Sequence, residues 1–206
     1  MNELIAQLTS FRQALGNVTG VRLSLPRPRR PASADELATL ATQRTLTPEL
    51  RDFLTVTADN VTLEQGDEAL FSTTAFLDAA GVVRELRQLE QVIEDLADVE
   101  PDLVAFLRRA VPLQDKSRGG WFLDPQDGAV WMVPFDGEAS VRVAGSLTEA
   151  LQHWLAAGCF DNGGADAETF RRYWALVGQH VPVTVAPSKN GWLRALAKYY
   201  GAQDFP

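Results

Sequence analysis

Residues 121–135 read Trp121-Phe122-Leu123-Asp124-Pro125-Gln126-Asp127-Gly128-Ala129-Val130-Trp131-Met132-Val133-Pro134-Phe135. Two apolar runs flank a cluster of proline, aspartate and glycine, which is the composition of a tight turn between strands. Asp136-Gly137 turns the chain again, and Ser140 to Ala144 returns with Val141 and Val143 alternating. The stretch therefore predicts a three-strand antiparallel meander. In the middle strand Ala129, Trp131, Val133 and Phe135 share one face, and Val130, Met132 and Pro134 share the other. Both faces are apolar. Either the strand is covered twice, or one face is left open for a partner, with Trp131 at its centre.

Helical signals lie on both sides of this meander. On its C-terminal side Ser146-Leu147-Thr148-Glu149 is a capping box, opening a helix with Leu147, Ala150, Leu151, Trp154 and Leu155 inward and Gly158 at its end. Asn162-Gly163-Gly164 marks a boundary. Beyond it Asp166 can cap a helix with Phe170, Trp174 and Val177, and an extended proline-bearing stretch leads to a last helix carrying Trp192, Leu193, Leu196, Tyr199 and Tyr200.

On the N-terminal side Ser33-Ala34-Asp35-Glu36 is another capping box, with Leu37, Leu40 and Ala41 expected inward. Thr47-Pro48-Glu49-Leu50 starts a second helix, with Leu50, Phe53 and Leu54 buried. Residues 61–63 and 69–72 read as short strands around Gln65-Gly66-Asp67. Thr73 to Ala80 reads as a helical turn closed by Gly81, residues 84–97 as an acidic helix, and Pro101 as the start of a short one. Residues 2–16 follow one helical face, and Leu25 to Pro31 is a proline-stiffened connector holding Arg27, Arg29 and Arg30. The fold class expected is α+β: an antiparallel or mixed sheet with helices packed against it. The expected organisation is an N-terminal helix and connector (1–30), a central α+β domain (31–158) and a helical extension (159–206).

The order of these elements resembles the SUKH superfamily, the fold of fungal cell-wall-synthesis regulators and of many bacterial toxin-immunity proteins. Three segments carry the likeness. The paired helices at Pro31-Ala32-Ser33-Ala34-Asp35-Glu36-Leu37 and Leu46-Thr47-Pro48-Glu49-Leu50-Arg51-Asp52-Phe53-Leu54 are similar to its acidic first helix and following Leu-Pro motif. Gly120-Trp121-Phe122-Leu123-Asp124 with Gly128-Ala129-Val130-Trp131 resembles its central hairpin, and Val143-Ala144-Gly145-Ser146-Leu147 through Leu151 its last strand and helix. The likeness covers residues 31–157. It departs from the family at Thr47, where leucine is usual, at Asp59-Asn60, which lacks a following glycine, and at Leu147 and Ala150, where aromatics are common. The resemblance implies a protein-binding role without catalysis, and it supplies no active-site residues.

Composition narrows the chemistry. The 206 residues are 46% apolar and 22% charged, an ordinary globular balance. A chain this long buries roughly 70% of its unfolded surface and needs no staple. The net charge is −8 and the isoelectric point near 4.8, opposite to that of a polyanion binder, so no nucleic-acid partner is expected. One cysteine, Cys159, excludes an internal disulfide, and with His153 and His180 it falls short of a zinc set. No cofactor or metal is expected. The acidic N-terminus and the lack of a long apolar run predict a cytoplasmic protein without a membrane segment. Arginine far outnumbers lysine, in keeping with a GC-rich bacterial genome.

No catalytic set stands out. Ser146 lacks the Gly-x-Ser-x-Gly setting of a nucleophile and reads as a helix cap. His153 reads as a surface or boundary histidine, His180 as a helix-end residue and Cys159 as a small buried thiol. Charge is the informative asymmetry. From residue 59 to 102 only Arg84 and Arg87 stand against a long series of acids that includes Glu85, Glu90, Glu94, Asp95, Asp98 and Asp102. This reads either as a solubilising face or as a docking surface for a basic protein such as a nuclease toxin. The candidate partner-binding residues are Glu85, Glu90, Glu94, Asp95, Asp98 and Trp131. The expected function is toxin neutralisation by a bacterial immunity protein. A scaffold or regulatory module of the same fold and an uncharacterised enzyme using carboxylates with His153 or His180 stand beside it.

Overall fold

A computed structural model describes residues 2–15, 17, 22–24, 31–55, 62–65, 68–72, 76–114, 119–135, 139–160, 167–182 and 185–200. In chain order its elements are α1 (Asn2–Leu15), β1 (Arg22–Ser24), α2 (Ala34–Ala41), α3 (Pro48–Thr55), β2 (Thr62–Gln65), β3 (Glu68–Ser72), α4 (Ala79–Leu96) and α5 (Pro101–Arg109). Then come β4 (Val111–Pro112), β5 (Gly119–Leu123), β6 (Val130–Pro134), β7 (Val141–Ala144), α6 (Leu147–Ala156), α7 (Ala167–Val177) and α8 (Gly191–Tyr200). The fold class is α+β, and every strand pair among the described residues is antiparallel. The arginine-bearing connector at 25–30, Asp59-Asn60, Gly66-Asp67, Asp136-Gly137, Asn162-Gly163-Gly164 and Asp166 lie outside the described residues.

The chain divides into two compact units. One consists of Arg29–Thr57 and Phe76–Leu147. Its sheet runs β4-β5-β6-β7, so the expected meander is present and gains a fourth strand at its edge. That strand pairs Val111 with Leu123 and Pro112 with Phe122. Two residues are too few to show strand alternation, and a proline is tolerated there because the strand is at an edge.

Cross-strand pairing of β5 with β6 sets Phe122 opposite Trp131 and Trp121 opposite Met132. The two pairs therefore face opposite ways. Trp121 meets Phe76 edge-on at 5.7 Å, and Phe76 meets Phe53 of α3 at 5.5 Å. On the other face Phe106 of α5 meets Phe122 at 6.4 Å and Trp131 at 6.3 Å, and Phe122 meets Phe135 at 5.9 Å. Both faces of β6 are thus covered. Val130, Val133 and Pro134 are buried, while Trp131 and Met132 stay half-buried.

The helices of this unit follow their local signals. Ser33 caps α2 in a full capping box: its Oγ accepts from the Glu36 N–H at 3.3 Å, and its own N–H donates to Glu36 Oε2 at 2.8 Å. Leu40 is buried and Leu37 half-buried, but Ala41 is exposed, contrary to expectation. Thr47 Oγ1 accepts from the Leu50 N–H at 3.2 Å, and Leu50, Phe53 and Leu54 are buried as expected. The acidic helix needs a larger correction. It starts at Ala79 and runs through Gly81, whose N–H donates to the capping carboxylate of Asp78 at 2.6 Å. A Cβ on Gly81 would lie 3.0 Å from that oxygen, so the glycine accommodates the cap at a helix start and does not end a turn.

The other unit consists of Met1–Pro28, Ala58–Ala75 and Thr148–Pro206. It holds the sheet β1-β2-β3, in which the expected hairpin of β2 and β3 is joined by β1. In α1, Leu4 and Phe11 are buried. Helix α6 ends in a Schellman motif: the Cys159 N–H donates to Trp154 O and the Gly158 N–H to Leu155 O, both at 2.8 Å. Gly158 and Cys159 both take positive φ, 69° and 58°. Among the described residues no helix is long and apolar enough to cross a membrane.

Candidate functional site

The acidic residues expected to bind a partner are spread along α4 and past its end. Spacing of four places Glu90 and Glu94 on one side of the helix, and Asp98 follows one turn on, in the α4–α5 connection. Glu90, Glu94, Asp95 and Asp98 are all exposed, and Asp102 in the first turn of α5 extends the group. Asp95 accepts from Gln91 Nε2 at 3.0 Å. None of Glu90, Glu94, Asp98 and Asp102 takes part in an ion pair among the described residues. Val99, in the same connection, is 74% exposed and gives this acidic ledge one apolar point.

Glu85 and Trp131 behave differently. Glu85 is half-buried on the earlier half of α4, between the exposed Arg84 and Arg87 in the neighbouring turn. Trp131 belongs to the aromatic layer under α5, where Phe106 covers part of its ring. The ledge is therefore built from the end of α4 and the start of α5, with Trp131 a half-buried packing residue.

A second feature of this unit combines three distant segments. Gln43, Arg44 and Thr45 after α2, Arg108 and Arg109 at the end of α5, and Pro125 and Gln126 in the β5–β6 turn line a cavity of about 330 Å³. Arg44 is half-buried and anchored by the backbone: its Nε donates to Ala110 O at 3.2 Å and its Nη1 to Gln43 O at 2.8 Å. Burial lowers its pKa from the ordinary guanidinium value, and the nearby Glu90 charge opposes that shift. Arg109 is held by Asp124, whereas Arg108 is exposed and makes no ion pair among the described residues. Sequence reasoning missed this cavity. Arg108-Arg109 at a helix end is explained locally by the helix dipole, and the turn by its proline and glycine.

The histidines and cysteine also have definite places. His153 is buried, which corrects the surface or boundary position expected for it. Its Nδ1 accepts from the Gly191 N–H at 3.1 Å, and its carbonyl accepts from Asn190 Nδ2 at 2.8 Å. Asn190 Oδ1 in turn accepts from the Leu193 N–H at 3.1 Å, capping α8. His153 Nε2 lies 3.8 Å from Glu149 Oε1. His180 ends a short 3-10 turn after α7, and the Cys159 thiol is buried. Among the described residues no three His, Cys, Asp or Glu side chains gather as a metal site.

No family model matches the chain, and neither does any curated protein or solved structure.

Proposed function

We propose that this chain is a non-enzymatic protein-binding module whose partner presents a basic surface. The observation that supports this is the ledge of Glu90, Glu94, Asp95, Asp98 and Asp102: exposed, one-signed and without ion pairs at Glu90, Glu94, Asp98 and Asp102 among the described residues. One-signed charge of this kind raises the encounter rate with a basic partner and rejects acidic ones. A nuclease toxin is such a partner, because a protein that holds phosphates must be basic. Joined to the SUKH-like order of elements, this gives a bacterial immunity protein that binds and neutralises a cognate toxin in the cytoplasm.

The test is co-expression with the product of the adjacent gene. Binding with protection of the host supports neutralisation. Binding without protection supports a scaffold or regulatory role instead, and no binding removes the reading. Within a complex, replacing Glu90, Glu94 and Asp98 by lysine should slow association and flatten its salt dependence, and an unaltered rate would exclude the ledge.

A further inference from the structure

The cavity between the end of α2, the end of α5 and the β5–β6 turn is lined by arginines, one of which lies within reach of Glu90 on the acidic ledge. Arg44, Arg108 and Arg109 reach it, and Asp124 offsets one of these charges through Arg109. Glu90 is close enough to act on Arg44 and Asp127 on Arg109, which leaves Arg108 as the exposed arginine outside any ion pair among the described residues.

Three properties suit it to an anion. The first is preorganisation: two backbone carbonyls fix the guanidinium of Arg44, leaving Nη2 without a hydrogen bond among the described residues. An arginine already held in place loses little freedom on gripping an oxyanion. The second is the unspent charge on Arg108, one residue from an arginine that Asp124 already holds. The third is size. A volume of about 330 Å³ falls at the small end of the range for ligand pockets, and it exceeds what a bare tetrahedral ion fills. Gln43, Thr45 and Gln126 line the same space, and amides and a hydroxyl are neutral hydrogen-bonding groups suited to the rest of a ligand.

We propose that this cavity binds a small organic phosphate monoester, with Arg44 and Arg108 on the phosphate and the Gln43, Thr45 and Gln126 side chains on the hydroxylated remainder. The guanidinium fork of Arg108 matches two phosphate oxygens, and Nη2 of Arg44 adds a further N–H.

Calorimetric titration of the full chain at low salt, with ribose 5-phosphate as probe and ribose and inorganic phosphate as controls, tests this. Saturable binding of one ribose 5-phosphate per chain is expected, with no binding of ribose and weaker binding of phosphate. Arg108→Gln removes an exposed side chain that holds nothing else together among the described residues, so it should fold normally, as its circular dichroism melt would show, and weaken binding about tenfold. Glu90→Gln, which removes the carboxylate acting on Arg44, should tighten binding. Absence of saturable binding at millimolar probe overturns the proposal, as does affinity unchanged by Arg108→Gln. Equal affinity for inorganic phosphate overturns the monoester assignment in favour of a bare-anion site.

Discussion

Arg109 at the end of α5 grips Asp124 at the end of β5 through three hydrogen bonds: Nη2 to Oδ2 at 2.7 Å, and Nε to Oδ1 and Oδ2 at 3.1 and 3.2 Å. The carboxylate also accepts the Gln126 N–H at 3.0 Å, so one side chain anchors a helix and shapes the turn of the central hairpin. Asp124 is 5% exposed, while the arginine side chain is about a third exposed and lies over the Phe106 ring at 5.3 Å. Arg109→Met keeps much of the apolar stem but strands the buried carboxylate. Screening at the exposed guanidinium moderates the loss, which should be about 2 kcal/mol in urea unfolding.

The same pair predicts a pH dependence. Hydrogen bonding from Arg109, against an opposing effect of burial, holds the Asp124 carboxyl below the usual carboxylate range, and the Gln126 N–H adds to it. A carboxyl lowered in the folded state stabilises above its unfolded pKa, near ~3.9, and that stability is lost as pH falls through the folded value. The gap in stability between the parent and Arg109→Met should therefore be constant above about pH 5 and close as the solution is acidified below about pH 4. Unfolding curves of both proteins across that range measure it, and a gap independent of pH would exclude the assignment.

Gln114 offers a gain in stability. Its side chain is buried, and neither its Oε1 nor its Nε2 has a hydrogen-bond partner among the described residues. A buried amide left unpaired costs about 1–3 kcal/mol. Gln114→Met has nearly the same shape without the polar groups, so it should be neutral or stabilising by about 1 kcal/mol in thermal or urea unfolding. A loss beyond about 1.5 kcal/mol would show that the amide is paired.

Asn190 should be sensitive in the opposite sense. Its amide bridges the His153 carbonyl and the Leu193 N–H, both buried bonds. Asn190→Ala removes a buried helix cap and one of the two hydrogen bonds to the His153 carbonyl, which keeps the Ala157 N–H at 3.1 Å. A cost of about 2–3 kcal/mol is expected in urea unfolding, well above the ~1 kcal/mol of a simple exposed cap.

Legibility in the sequence followed the range of the interactions. Ser33 with Glu36, Thr47 before Pro48 and the Asp124–Gly128 turn are local, and their residues form the bonds their spacing suggests. Gly81 reads as a stop because glycine marks helix ends as well as crowded starts, and only the nearness of Asp78 Oδ1 decides between them. β4 was hidden by its length. His153 lies beside the apolar stripe of α6, and only Asn190 and Gly191, far along the chain, make it a core residue. The acidic ledge is visible because its carboxylates lie close together in sequence. The arginine cavity was not, because Arg44, Arg108 and Gln126 meet only after folding.

Gly158 and Gly128 form a matched pair for separating backbone strain from crowding. Both have positive φ, 69° and 75°. A Cβ on Gly128 would meet nothing nearer than the Gly145 carbonyl at 3.8 Å, so Gly128→Ala should cost only the left-handed conformation, about 1 kcal/mol. A Cβ on Gly158 would press on Tyr173 Cε1 at 3.1 Å and Val177 Cγ2 at 3.3 Å. The Tyr173 ring has little freedom to yield, because its hydroxyl donates to the Gly158 carbonyl and its face packs on Phe160 at 5.3 Å between centroids. Gly158→Ala should therefore cost about 2–3 kcal/mol, the excess over Gly128→Ala being the crowding. Parallel urea titrations give both values, and equal losses would mean that the ring moves aside.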